Sequence, residues 1–293
     1  MGLVRAVMIG DVVGDPGLEV LEERLPGLIR EQGADFVVVN GENAADGFGM
    51  TGLTLNRILA AGADVVSSGN HVWEKREFWP LLEGERRMLR PANYPAGAPG
   101  RGWVEIKKDR KNAPGSPISW LVINLQGRDF MPAVDCPFQA FDAITGSRGD
   151  PPPGPESPPC EAGAGRNGGG PAFPPNQPRP ILLVDFHAEA TREKESLAFY
   201  LDGRASLVAG THTHVQTADE RILPRGTAYI TDLGMTGAGN GIIGMDPQIC
   251  LNRVKTQIAY RMECAKGPAL IQGVIAEIDQ ETGRAVSVKR INR

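Results

Sequence analysis

All four histidines of this 293-residue chain lie in short polar motifs next to apolar runs. His71 belongs to Gly-Asn-His, and His187 follows the apolar run at 181–186. His212 and His214 belong to Gly-Thr-His-Thr-His, at the end of another apolar segment. Imidazole is the commonest metal ligand among side chains and also moves protons near neutral pH. Histidines confined to such positions indicate a site for metal binding or proton transfer.

Acidic and amide residues end other apolar segments of the chain. Asp11 follows an N-terminal run, Glu42 and Asn43 follow the next run, and Asn70 precedes the first histidine. Because sites in open α/β sheets form outside the carboxyl ends of strands, these groups should converge on one crevice. A donor set of nitrogen and oxygen without thiolate suits Mn, Fe or Zn better than Mg or Ca. A carboxylate such as Glu42 can bridge two cations, and two metals about 4 Å apart can hold a phosphoryl centre.

Each motif also has a structural interpretation when it is considered alone. Gly-Asp after a strand is commonly a turn, and Thr-His-Thr-His could be an edge strand with alternate residues in solvent. On such a strand His212 and His214 would share one face, which is a suitable spacing for two ligands. Since the structural interpretations would all have to hold at once, we prefer the metal site.

Strands and helices alternate along the chain, which predicts a layered α/β fold. The expected strands are 3–9, 35–39, 64–67, 119–124, 181–186, 205–209 and 227–231, followed by a hairpin at 269–278 and 285–291. Asp15 and Pro16 resemble the cap and first residue of a helix, which Pro26 should kink or shorten. Thr51 should begin a second helix.

Composition and charge exclude several classes of protein. Hydrophobic residues at 41% and charged residues at 23% are ordinary for a globular domain. No apolar run approaches the roughly 20 residues of a membrane span, so we expect a cytoplasmic protein without a membrane partner. A net charge of −4 argues against duplex DNA but leaves a small anionic substrate open. The four cysteines match neither a zinc knuckle nor a redox pair.

The segment at 146–180 differs from the rest of the chain. It holds eleven of the 24 prolines, a Gly-Gly-Gly run and few apolar residues. Such a composition cannot bury enough surface to offset the entropy of ordering. We therefore expect a single domain over residues 1–293 that is interrupted at about 146–180 by a flexible insertion.

Taken together, the motifs Gly-Asp, Gly-Glu-Asn, Gly-Asn-His, His-Ala-Glu and Gly-Thr-His-Thr-His resemble those of the calcineurin-like metallophosphoesterases. More narrowly, the chain resembles the bacterial YmdB-type phosphodiesterases. The stretches that carry this resemblance are 10–14, 89–95, 124–128, 185–191 and 210–223. The resemblance covers roughly residues 3–145 and 181–278. It implies a four-layer αββα sandwich with a dinuclear metal centre at its rim.

The resemblance also implies two divalent or trivalent transition-metal ions per chain, with iron or manganese preferred and zinc as a further option. The ligands implied for one ion are Asp11, Glu42, Asn43 and His214. The ligands implied for the other ion are Glu42, Asn70, His187 and His212. Glu42 would bridge the ions, and His71 would face the substrate. The broader superfamily has a histidine at the position of Val13, and Asn43 takes its place here.

These residues indicate metal-assisted hydrolysis of a phosphodiester. A water shared by the metals would lose a proton and attack phosphorus, and His71 would protonate the leaving oxygen as general acid. The resemblance suggests cyclic nucleotides, 2′,3′-cyclic AMP in particular, or related small phosphodiesters. Two alternatives stay open: a phosphomonoesterase or nuclease on short RNA, and a metal- and nucleotide-binding regulatory protein with slow or no turnover. Assembly into a homo-oligomer is also left open.

Several neighbouring side chains have both a functional and a structural interpretation. Asp185 and Glu189 flank His187 and could orient its ring, or they could be a strand-end charge and a helix-start acid. The side chains that could meet phosphate or a base, or serve only in turns and packing, are Arg90, Asn93, Arg128 and Trp73.

Overall fold

The computed structural model describes residues 2–110, 113–146 and 179–293, and the insertion predicted at 146–180 lies outside them apart from its ends. The strands are β1 (Leu3–Ile9), β2 (Asp11–Val12), β3 (Phe36–Asn40), β4 (Val65–Ser67), β5 (Trp103–Arg110), β6 (Ala113–Gln126), β7 (Ile181–His187), β8 (Leu207–Thr211), β9 (Arg221–Ile222), β10 (Ala228–Ile230), β11 (Met235–Ala238), β12 (Ala269–Leu270), β13 (Gln272–Asp279) and β14 (Ala285–Asn292). The helices are α1 (Gly14–Gln32), α2 (Gly52–Ala60), α3 (Trp79–Gly84), α4 (Pro137–Thr145), α5 (Thr191–Tyr200) and α6 (Pro247–Thr256).

Most of these strands form two large sheets. The first sheet has the order β14-β13-β1-β3-β4, in which β1, β3 and β4 are parallel and β13 and β14 form an antiparallel hairpin. The second sheet has the order β5-β6-β7-β8-β10-β9, and β6, β7, β8 and β10 are parallel. A small sheet joins β2, β11 and β12. The predicted strands and terminal hairpin are confirmed, with shifts of at most three residues at their ends, except that β6 begins six residues before the predicted start at 119.

The two large sheets pack face to face between two layers of helices. Phe36 of the first sheet stacks on Trp120 of the second, with ring centroids 4.7 Å apart. Side chains alternate along β1, so that Val4 faces the other sheet while Val7 packs with α1 and α2. Helices α4 and α5 cover the outer face of the second sheet. The predicted four-layer αββα sandwich is confirmed.

The helix starts show where local sequence signals hold and where they fail. Thr51 caps α2 as predicted and accepts a hydrogen bond from the backbone N–H of Thr54 at 3.2 Å. The cap predicted at Asp15 is wrong, because α1 begins at Gly14, two residues before Pro16, and Val13 takes the cap position. The Asp15 carboxylate pairs with Arg57 at 3.1 Å. Helix α1 also continues past Pro26 and is not shortened there. In the part of the chain that the structure describes, no helix is long and apolar enough to cross a membrane.

The carboxyl ends of the central strands meet at one edge of the sandwich. On the first sheet Asn40 lies beside Ser67, and on the second His187 lies beside Thr211. The two edges touch, because Asp185 of β7 accepts a hydrogen bond from Asn40 of β3 at 3.0 Å. The polar motifs found in the sequence therefore meet at the rim where the two sheets join.

Candidate metal centre

The ring of His187 lies at the centre of one group of potential ligands. Its Nε2 is 3.1 Å from Glu42 Oε1, 3.1 Å from Asn70 Oδ1 and 3.0 Å from His212 Nδ1. A single proton on Nε2 cannot satisfy three acceptors at once. A cation bound among these atoms would satisfy all of them, so the group fits a metal ion.

A second group of potential ligands shares Glu42 with the first. Ligand atoms of Asp11, Glu42 and His214 lie within 4.8 Å of one another, as do those of Glu42, His187 and His212. Asp11 Oδ1 and Asn43 Oδ1 are buried without a hydrogen-bond partner in the described residues. Because buried polar atoms are rarely left unpaired, these two oxygens also fit a bound cation.

Gly69 allows the backbone to approach this centre. A Cβ atom at this position would lie 2.2 Å from His187 Nε2 and 2.4 Å from Glu42 Oε2, which is too close for any side chain. The Gly-Asn-His motif therefore begins with glycine for a steric reason, and this glycine brings Asn70 to the ligands of the other strands.

The ring nitrogens that face away from the centre are held by the protein. His212 Nε2 lies 3.2 Å from Glu189, and His214 Nδ1 lies 2.9 Å from the carbonyl oxygen of Ile243. Such partners fix the tautomer and orientation of metal-binding imidazoles. The interpretation of Glu189 as a partner of His187 is wrong, because its carboxylate contacts His212 instead.

The Thr-His-Thr-His motif leaves β8 after Thr211 and continues as a loop, so its interpretation as an edge strand is wrong. His212 and His214 have φ angles of 102° and 63°, which non-glycine residues rarely adopt and which cost about 1–3 kcal/mol each. Asp232 accepts a hydrogen bond from the backbone N–H of Thr213 between them at 3.2 Å. Lys194 pairs with Asp232 at 2.7 Å, and both side chains are buried. The ion pair fixes the position of Asp232, which in turn binds the backbone of the strained loop.

Burial and mutual charge shift the pKa values of the central groups. Burial raises the pKa of Asp11 to about 7. Burial also disfavours the Glu42 carboxylate, but His187 outweighs it and lowers the pKa of Glu42 to about 2. Burial opposes the charge on His187 as well, yet Glu42 raises the pKa of His187 to about 9. Burial and the charge of His187 lower the pKa of His212 to about 3. Because a metal-binding imidazole must be neutral, an ion that binds His187 displaces its proton.

His71 lies beside the centre but in neither group of potential ligands found in the described residues. Its backbone N–H donates to Glu42 Oε2 at 3.3 Å. Its Nδ1 is 3.2 Å from Glu74 Oε1, and Phe48 packs edge-on against the ring at 5.1 Å. The ring is thus held through Nδ1.

For three other residues the sequence left open whether they meet the substrate or serve in turns and packing. In the structure, their side chains contact other parts of the protein. The Arg90 guanidinium donates to three carbonyl oxygens of its own loop at 2.8, 3.1 and 3.3 Å. Asn93 donates to the carbonyl oxygen of Gln126 at 2.7 Å. Trp73 packs partly against the core and edge-on against Tyr94, with centroids 5.3 Å apart. These contacts support turn and packing roles.

The fold is that of the class of calcineurin-like phosphoesterases. The calcineurin-like phosphoesterase YfkN from Bacillus subtilis has the same fold, with a TM-score of 0.53 and 10% identity over 99% of this chain and 90% of that chain. In the described residues, the two groups that share Glu42 could hold metal ions.

Within that class the chain belongs to the YmdB-like protein family, whose model matches residues 7–150 and 173–291. It is 42% identical to the 2′,3′-cyclic-nucleotide 2′-phosphodiesterase of Bacillus subtilis (strain 168), over 98% of this chain and 96% of that protein. The crystal structure of a novel phosphatase from Mycoplasma pneumoniae has a TM-score of 0.82 and 26% identity, over 100% of this chain and 94% of that chain. The family resemblance predicted from the sequence is confirmed.

Proposed function

We propose that this protein is a dinuclear-metal phosphodiesterase that hydrolyses 2′,3′-cyclic nucleotides or related small phosphodiesters. The observation that carries this proposal is the pair of ligand groups that share Glu42, since two cations joined by one carboxylate suit a phosphoryl substrate. The similarity to a cyclic-nucleotide phosphodiesterase along nearly the whole chain supports the same substrate class.

The residues that would hold the metals are those that converge on the rim. One ion would take Asp11, Glu42, Asn43 and His214. The other would take Glu42, Asn70, His187 and His212. Bound there, such ions supply positive charge that activates water and stabilises a phosphoryl transition state. The donor atoms are nitrogen and oxygen, which supports iron or manganese, with zinc as a further option.

His71 would act as the general acid in this reaction. With its Nδ1 directed at Glu74, its Nε2 is the nitrogen that can donate a proton to the leaving oxygen. Its backbone contact to Glu42 keeps the ring beside the proposed metals without making it a ligand. A protein that only bound nucleotides would not need such a group, so His71 supports hydrolysis over a purely regulatory role.

A substrate panel tests the proposal. Manganese-loaded protein should hydrolyse 2′,3′-cyclic AMP faster than p-nitrophenyl phosphate, and chelator-treated protein should be inactive. The panel should include 3′,5′-cyclic AMP, bis-p-nitrophenyl phosphate and a short RNA. A higher kcat/KM for the monoester would indicate a phosphomonoesterase, and a higher value for RNA would indicate a nuclease. Tight nucleotide binding without any turnover would favour the regulatory protein.

A further inference from the structure

Asp185 is a buried carboxylate that lies directly behind the proposed metal centre. It is 1% exposed and lies two residues before His187 on β7. Its Oδ1 accepts a hydrogen bond from Thr211 Oγ1 at 2.7 Å. Its Oδ2 accepts from Asn40 Nδ2 at 3.0 Å and from the Ser67 hydroxyl. One carboxylate thus binds three side chains from strands of both large sheets.

The hydroxyl of Thr211 connects Asp185 to the ring of His187. His187 Nδ1 lies 2.9 Å from Thr211 Oγ1. The hydroxyl has one proton, and it donates that proton to the Asp185 carboxylate. Thr211 can then only accept from His187, so Nδ1 must carry a proton. The lone pair of neutral His187 is left on Nε2, the nitrogen that faces Glu42 and Asn70.

The hydrogen bonds from Asp185 through Thr211 to His187 form one path, which we call the His187 arm. A second path of hydrogen bonds, the Glu42 arm, connects Asp185 to the backbone of Glu42. Asn40 donates to Asp185 through Nδ2, and its Oδ1 accepts the backbone N–H of Glu42 at 3.1 Å. The amide group of Asn40 is therefore held at both ends. Through its two arms, Asp185 fixes the ring of one proposed ligand and the main chain of another.

We infer that Asp185 is a positioning residue, which through Thr211 sets the tautomer of His187 and through Asn40 sets the backbone at Glu42. This inference rests on the proposed metal centre. Outer partners of metal-binding histidines typically contribute about 10–100-fold to metal affinity. Among the described contacts of His187 Nδ1, Thr211 Oγ1 is the nearest at 2.9 Å, and Asp11 Oδ1 is 3.9 Å away.

Zinc is the probe for a test of the His187 arm, because it is diamagnetic and suits these ligands. We expect Thr211→Val to weaken zinc binding by about 10–100-fold in calorimetry. Thr211→Ser keeps the hydroxyl and should restore affinity to within a few-fold of wild type. Ser67→Ala is the matched control, because it removes a different hydrogen bond to Asp185 but touches neither arm. Melting curves of the metal-free proteins identify any general loss of stability.

Nitrogen NMR of zinc-loaded wild-type protein gives a second readout that needs no variant. His187 should carry its proton on Nδ1 and bind zinc through Nε2. A proton on Nε2, or equal zinc affinities for Thr211→Val and Ser67→Ala, would overturn the inference while leaving the metal centre intact. Wild-type protein that binds no zinc, manganese or iron would instead overturn the proposed function and this inference with it.

Discussion

Glu42→Gln is expected to remove both metals and to reduce turnover of a cyclic nucleotide to background. Glu42 is the residue shared by the two groups of potential ligands, so its loss affects both ions at once. A neutral amide also loses the charge that pairs with His187 at 3.1 Å. The loss of metal affinity should exceed the roughly 10–100-fold typical of an outer partner. Elemental analysis of the purified variant and isothermal titration with manganese measure the effect.

Asn43→Ala is the matched control for this prediction. Asn43 lies next to Glu42 in the chain, and its Oδ1, like Asp11 Oδ1, is buried without a hydrogen-bond partner within the described residues. Asn43 would bind only one of the two ions. Asn43→Ala should therefore lose less bound metal and less activity than Glu42→Gln. Greater damage from Asn43→Ala would contradict the assignment of Glu42 as the bridge.

His71→Ala is expected to keep both metals and the fold while it lowers kcat for a cyclic nucleotide by roughly 10²–10⁴-fold. The metals should remain because the His71 side chain belongs to neither group of potential ligands in the described residues. The leaving oxygen of a cyclic nucleotide is an alkoxide, which needs a proton as the bond breaks. Steady-state kinetics measure the loss of turnover, and elemental analysis of the same preparation shows whether the metals remain.

Leaving-group chemistry supplies the control for His71. The loss should be much smaller with bis-p-nitrophenyl phosphate, because p-nitrophenolate leaves without protonation. Equal losses on both substrates would show that His71 orients the site instead of donating a proton. Loss of metal from His71→Ala would make it a ligand, and unchanged turnover of the cyclic nucleotide would remove the acid role.

The sequence predicted which polar residues converge on the rim, but it did not predict the contacts that hold them there. The ligand motifs were recognisable because polar residues after apolar runs mark the carboxyl ends of strands, where sites in such sheets form. Asp185 lies two residues before His187 and Thr211 lies within Gly-Thr-His-Thr-His, and an orienting role for Asp185 was one of two interpretations. The sequence could not show that it acts through Thr211 or reaches Asn40, which is 145 residues away in the chain.

Tertiary contacts also explain the errors in local structure. Thr-His-Thr-His alternates like an edge strand, but after Thr211 the buried Lys194–Asp232 pair holds the chain as a loop with strained histidines. Asp15 resembles a helix cap, yet its carboxylate pairs with Arg57 of α2. In the first case a contact with distant residues outweighs the local pattern, whereas in the second the helix begins at Gly14, whose φ is 59°, so Asp15 lies inside the first turn.

Anomalous diffraction from crystals soaked in manganese is the most direct measurement of the central claim. We expect two peaks per chain about 4 Å apart, with Glu42 between them. One peak should lie next to Asp11 and His214, and the other next to His187 and His212. A single peak, or peaks located away from Glu42, would contradict the dinuclear centre on which the proposed phosphodiesterase depends.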